Sequence, residues 1–205
     1  MSPRRGTFAG GIHPPERKTL SESLPIEVLP TPKLISVPLL QHLGAACDAL
    51  VKTRDEVTMG QLIGRSEASI SAPVHSSIGG VVARPAVATL PNGRHVDAIP
   101  IKAAAEQELE GRDIYEDHFG GEWPTRGLDS WSPESIIDAV REAGLVGMGG
   151  AAFPTWVKLS PSTERPVDTL LINGCECEPY LNADSRLMIE AAAPVISGAP
   201  VSYTH

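Results

Sequence analysis

Glycine flexibility and a single ammonium meet in the segment Gly147-Met148-Gly149-Gly150-Ala151-Ala152-Phe153-Pro154-Thr155-Trp156-Val157-Lys158. Glycines permit a tight loop whose amide hydrogens approach phosphate oxygens with no Cβ in the way. Pro154 then opens a predicted short helix, and a helix N-terminus favours an anion. Lys158 falls about one turn in, and helical side chains lean toward the N-terminus, so its ammonium can reach the same anion. The pattern is not a Rossmann fingerprint, since no strand directly precedes it and the spacing differs. It is not a P-loop either, because no Lys-Ser or Lys-Thr pair follows the glycines.

A second chemically equipped stretch is Asn173-Gly174-Cys175-Glu176-Cys177-Glu178-Pro179-Tyr180, after the apolar run Thr169–Ile172 that reads as a strand. Loops at the carboxyl ends of parallel strands are where α/β sheets bind ligands. Asn173 can hydrogen-bond the edge of a heterocycle, and Glu176 and Glu178 offer carboxylates. The bland alternative is two solvated loop acids with Cys177 as buried packing. Cys175 and Cys177, with no further cysteine beside them and only His205 near, do not complete a tetrahedral metal site. The four-cysteine run of an iron–sulfur cluster is absent as well. His13 and His42 stand alone beside Pro or Gln and read as structural or surface residues. Neither a nucleophile elbow nor a His-x-x-x-His pattern supports a hydrolase.

The elements that must position these residues differ between the two halves. Over residues 20–102, short apolar runs (Lys33–Leu40, Leu50–Val51, Gln61–Ile63, Gly80–Val87, Ala98–Ile101) alternate with Pro and Gly punctuation and predict β structure. A charged stretch over 103–130 reads as a linker with one short helical turn. Beyond it, Ser132-Pro133-Glu134 is a helix start: a capping hydroxyl, proline at the first helical position, then an acid. Ile136, Ile137 and Val140 form its apolar face and Gly144 its stop. A last helix is expected over about Ala183–Ala191. The second half, 131–205, therefore has an α/β nucleotide-binding texture.

Composition bounds the rest. With 41% hydrophobic residues, 4% aromatic, and 19 each of Gly and Pro in 205 residues, the chain reads as a turn-rich globular fold. A net charge of −8 argues against nucleic-acid binding. No stretch approaches the ~18 apolar residues of a membrane helix, and the N-terminus lacks the apolar region of a signal peptide. Three cysteines fit a reducing compartment, so a soluble intracellular protein is expected.

The span Val51–Val82, with Gly60-Gln61, Ala72-Pro73 and Gly79-Gly80-Val81, resembles biotinyl and lipoyl carrier domains, which are barrel-sandwich hybrids. Carriers need a lysine at a hairpin tip to form the amide, and there is none between Gly60 and Val82. The fold expectation stands without the carrier function: an all-β barrel-sandwich domain over residues 1–102, then the start of an α/β domain.

Taken in order, Phe8–Pro15, Pro38–Gly44 and Ala72–His75 resemble the N-terminal domain of the C subunit of Rnf-type ion-translocating electron transport complexes. Gly147–Leu159 and Leu171–Tyr180 resemble the flavin loops that this subunit shares with the flavoprotein subunit of respiratory complex I. The resemblance implies NADH oxidation at a noncovalent FMN, in a peripheral protein on the cytoplasmic side of the inner membrane, bound to other Rnf subunits. It assigns Gly147, Gly149, Gly150 and Lys158 to the FMN phosphate and ribityl chain. Asn173, Glu176 and Cys177 fall to the isoalloxazine, and Phe153 and Glu178 to NADH. Hydride transfer is cofactor chemistry, so no side chain here need be an acid, base or nucleophile.

Two positions depart from the family pattern. Ala152 stands where glycine is usual, a source of strain if φ is positive there, and Cys175 replaces an Ala-like or acidic residue. The flavin domain reads as cut short, with the [4Fe-4S] cluster motifs expected only in a missing C-terminal part, and weak or no FMN binding by the fragment alone. The alternative is an inactive fragment that serves only as a docking module.

Overall fold

The computed structural model describes residues 14–124, 131–161, 164 and 167–203. Phe8–His13 of the first resembling motif, and His205, lie outside them. After a 3-10 turn at Lys18–Leu20 come eight strands: β1 (Leu34–Pro38), β2 (Asp48–Ala49), β3 (Glu56–Val57), β4 (Leu62–Arg65), β5 (Val74–His75), β6 (Gly80–Val82), β7 (Ala86–Thr89) and β8 (His95–Ala103). Helices follow: α1 (Arg112–Phe119), α2 (Pro133–Glu142), α3 (Thr155–Lys158), α4 (Ala183–Glu190) and α5 (Ala192–Tyr203).

The β half is built around β8. This nine-residue strand pairs antiparallel with β1, β6 and β7, and β6 carries β3, giving a five-stranded sheet. A second sheet of three strands runs β2-β4-β5. The two share one core: Val37, Val57, Val82, Ile99 and Ile101 come from the first sheet, Ile63 and Val74 from the second. Gly80 lets β6 approach β8, since a Cβ there would lie 2.0 Å from the Lys102 carbonyl oxygen.

The expected closed barrel-sandwich hybrid is not what forms. Among the described residues no sheet closes on itself: one five-stranded and one three-stranded sheet remain separate. The reason lies in the ladders. β2, β3 and β5 are two residues long, the β4–β5 register shifts between Leu62 and Gly64, and Ala83-Arg84-Pro85 separates β6 from β7. Closure requires a consistent stagger carried round all strands, and such short ladders do not carry it.

The strand expected at Thr169–Ile172 does not form among the described residues, and the segment is exposed, Leu171 to 87%. A strand needs a neighbour for its backbone groups, and neither sheet extends to this segment. The fold is α+β, with a β-sheet region followed by helices.

The Pro38–Gly44 segment contributes His42, only 8% exposed. Its Nε2 accepts the Ala72 N–H at 3.2 Å, while the Ser71 hydroxyl donates to the Ala45 carbonyl at 3.3 Å. Protonation would aim a second donor at Ala72 N–H. Burial lowers the His42 pKa, opposed by its backbone contact with Ala45. The unfolded chain then binds a proton that the folded one sheds, so this contribution is complete above the unfolded value of about 6.5 and is lost as pH falls toward the lower folded value. The melting temperature should fall on acidification from about pH 7.5 to about pH 5, and His42→Gln should flatten that slope. His75, also lowered chiefly by burial, keeps its own share of the slope.

Candidate functional site

Helix α2 begins as its residues dictate. The Ser132 side chain accepts from Ser135 N–H at 3.2 Å, Pro133 occupies the first turn, and Gly144 beyond the end has φ +68°. A Cβ on Gly144 would stand 2.4 Å from the Pro73 carbonyl oxygen, so this end of the helix sits directly on the first half. Arg65 pairs bidentately with Glu142, holding that carboxyl below its usual range. Trp156 Nε1 donates to the Ser71 carbonyl at 3.0 Å, and the Arg141 guanidinium lies 4.8 Å from the Trp156 ring centre.

These contacts hold the stem of the glycine loop. Gly147 N–H donates to Phe153 O and Thr155 N–H to Leu145 O, both at 2.9 Å, with a bridge between Val146 and Pro154. The loop tip returns to the first half through Leu43 N–H and the Ala152 carbonyl, 3.2 Å apart. Gly150, Ala151 and Ala152 line a cleft of about 550 Å³ whose other wall is Leu40–Gly44 and the β7–β8 hairpin, including Arg94.

Lys158 folds back over this loop. Its Nζ lies 2.5 Å from where a Cβ on Gly147 would be, so a side chain at 147 would displace the ammonium. Positions for a Cβ on Gly149 and Gly150 meet nothing within 4 Å, leaving their backbone open on that side. The helix expected from Pro154 is a single turn of four residues, so its dipole adds little. What remains is a cation against Gly147, two residues before glycines whose Cβ side is open.

Ala152 has φ +53°, the left-handed region that costs an L-residue roughly 1–2 kcal/mol. Ala152→Gly removes that cost and adds backbone entropy to the unfolded chain, so a net gain of up to about 1 kcal/mol is expected. Ala152→Val should destabilise instead. Urea unfolding of the two variants checks both signs.

The second loop is held differently. Asn173 Oδ1 accepts Cys175 N–H at 2.9 Å, closing an Asx turn. Glu176 Oε1 accepts Asp184 N–H at 2.8 Å and so caps α4. Gly174 faces the Met188 thioether, 2.9 Å from a would-be Cβ. Glu178 is exposed, and Cys177 is exposed rather than buried packing. Among the described residues no hydrogen bond joins this loop to the glycine loop. The structure thus brings Gly147, Phe153 and Lys158 together, with Gly149 and Gly150 open beside them, and sets Asn173, Glu176, Cys177 and Glu178 on a separate loop.

Sequence reasoning missed Lys18. Its ammonium donates to the carbonyls of Glu176, Glu178 and Leu181 at 3.1, 3.3 and 2.9 Å. The partners are about 160 positions apart in the chain, so no local spacing could have signalled the contact. Among the described residues no group of three or more His, Cys, Asp or Glu converges as a metal ion would need. No helix of the described residues is long and apolar enough to cross a membrane.

Comparison with known proteins matches both halves in order. The family model for the RnfC barrel sandwich hybrid domain covers residues 6–106, and that for the Nuo51 FMN-binding domain covers residues 140–204. This chain belongs to the RnfC family. Among its relatives there, the C subunit of the proton-translocating ferredoxin:NAD(+) oxidoreductase complex of Clostridium ljungdahlii is 38% identical over 95% of this chain and 41% of its own length. The C subunit of the Na(+)-translocating counterpart from Acetobacterium woodii is 37% identical over 97% of this chain and 43% of its own. The C subunit of the ion-translocating oxidoreductase complex of Rhodobacter capsulatus is 40% identical over 94% and 36%. The chain therefore spans less than half the length of these RnfC relatives.

Proposed function

We propose that this chain carries the FMN- and NADH-binding loops of an RnfC protein, a peripheral electron-transfer subunit docked to other Rnf subunits on the cytoplasmic side of the inner membrane. The observation that carries the reading is the Lys158 ammonium resting on Gly147 beside the open glycines Gly149 and Gly150. FMN, when bound, supplies the hydride acceptor. The amides of the glycine loop and Lys158 would hold its phosphate. Asn173, Glu176 and Cys177 would border the ring, Glu176 with one oxygen already committed to α4. Half-buried Phe153 and exposed Glu178 would serve NADH through an aromatic face and a carboxylate.

The test is FMN titration, by flavin fluorescence quenching, of this chain extended to the length of its RnfC relatives, followed by anaerobic NADH, since weak or no binding is expected of the 205 residues alone. Saturable quenching and bleaching of the flavin absorbance are expected. Absence of saturable binding would overturn the reading. A docking role without catalysis finds its support in the exposed apolar run Leu170–Ile172, and it predicts partner capture with no flavin binding.

A further inference from the structure

We propose that Lys18 is a positioning residue for the loop Glu176–Leu181, holding the loop in shape from the far end of the chain. An ammonium has three donors and no acceptor, and here all three are used on carbonyls of one loop. That loop belongs to no strand or helix, so its carbonyls have no ladder to satisfy them. Three carbonyl dipoles converging on one point repel one another unless a cation stands there. Hydrogen bonds to a charged donor are the stronger kind. Lys18 forms no ion pair among the described residues, which leaves its charge to the carbonyls.

The neighbours of Lys18 make the contact part of a strap. Tyr180 N–H donates to Glu16 O at 2.8 Å, and Asn182 Nδ2 donates to both Lys18 O and Ser21 Oγ at 2.8 Å. Asn182 is only 9% exposed, so these bonds are shielded from water. Arg186 Nη1 donates to Glu22 O at 3.2 Å, and Ile26 N–H reaches the Glu190 carboxylate at 3.1 Å. Residues 16–26 therefore run along the loop and α4, with polar contacts at Glu16, Lys18, Ser21, Glu22 and Ile26. Tyr180 holds φ +69° within this grip, a conformation that persists only where surroundings impose it.

The consequence for FMN rests on the proposed function; the positioning role does not. The test compares wild type, Lys18→Met and Lys18→Gln in the full chain by amide hydrogen exchange without ligand, then, in the extended chain, by FMN titration. Both variants remove the charge from a half-buried surface position, and Gln provides a second neutral side chain should Met not fold. Exchange at Glu176–Leu181 should accelerate by about tenfold or more, the scale of one lost charge-assisted hydrogen bond, with the amides of β1, β6 and β8 unchanged. Lys18→Arg, a cation of different shape, should recover part of the protection. Unchanged loop exchange, or acceleration spread equally through the sheet, would overturn the proposal. FMN affinity separates the two readings. Faster loop exchange with weaker FMN binding supports both, and faster exchange with unaltered FMN binding upholds the strap but counts against the loop bordering the flavin. Weaker FMN binding with unchanged exchange makes Lys18 a direct ligand and overturns positioning.

Discussion

In this chain extended to the length of its RnfC relatives, Lys158→Ala is expected to weaken FMN binding by about ten- to a hundredfold while leaving the unliganded fold nearly unchanged. The loss follows from one charge-assisted contact, worth roughly 1.5–3 kcal/mol, with ~1.4 kcal/mol per factor of ten. The contact is geometrically ready, because the Nζ already sits over Gly147, in the space a Cβ would fill. Folding stability should change by no more than about 0.5 kcal/mol, since Lys158 is exposed. Lys158→Arg should not restore full affinity, because a planar guanidinium delivers its charge elsewhere and the room over Gly147 is tight. Titrations at two salt concentrations separate wild type from variant: the wild type should lose more affinity with added salt, having the extra charge to screen. Equal affinity in both proteins at both concentrations would return Lys158 to the role of an ordinary solvated lysine. Gly147→Ala offers a second route to the same loss, by displacing the ammonium rather than removing it.

What was legible in the sequence was local. Ser132, Pro133 and Gly144 each act within one helix turn of their own position, and α2 starts and stops where they place it. The fold-back of Lys158 follows from the lean of helical side chains over four residues, and it too is present. The positive φ at Ala152 meets a condition that the family resemblance raised and left open. What was not legible depends on partners distant in sequence. Whether short strands close into a barrel is decided by register across ladders of two residues, which apolar runs do not encode. Thr169–Ile172 has the composition of a strand but, among the described residues, no neighbour to make it one. Lys18 finds its partners across a separation of about 160 residues. The one-turn α3 shows a subtler limit: Pro154 correctly marks an N-terminus, but nothing local sets the length that a useful dipole requires.

The two candidate loops also differ in how they are supported. The glycine loop is tied to the first half by Trp156, Leu43 and the Arg65–Glu142 pair. The second loop hangs on the strap of residues 16–26. Damage to the β-sheet core should therefore reach the glycine loop sooner than the second loop.

The largest expected loss of folding stability follows from Ile101→Ala. Ile101 has no measurable exposure and sits in β8, opposite Ile35 of β1 and Val82 of β6. Truncation removes its methyl and methylene groups from the shared core and leaves a cavity that a sheet paired on both sides cannot collapse to fill. Such changes cost about 2–5 kcal/mol, against roughly 0.5–1.5 kcal/mol for Ile101→Val. Set against the ~5–15 kcal/mol that stabilises an ordinary domain, the larger figure is a substantial fraction of the whole. Val87→Ala in β7, at a side chain 63% exposed, should stay within about 0.5 kcal/mol and serves as the control. Ile63 is the equally buried counterpart in the other sheet and belongs to the same cluster. If the two sheets share one core, Ile63→Ala should cost a similar amount, and the double variant should depart from additivity by at least about 0.5 kcal/mol. Urea unfolding with unchanged m-values is the measurement that checks this. Strict additivity would mean that Ile63 and Ile101 act independently within the shared core.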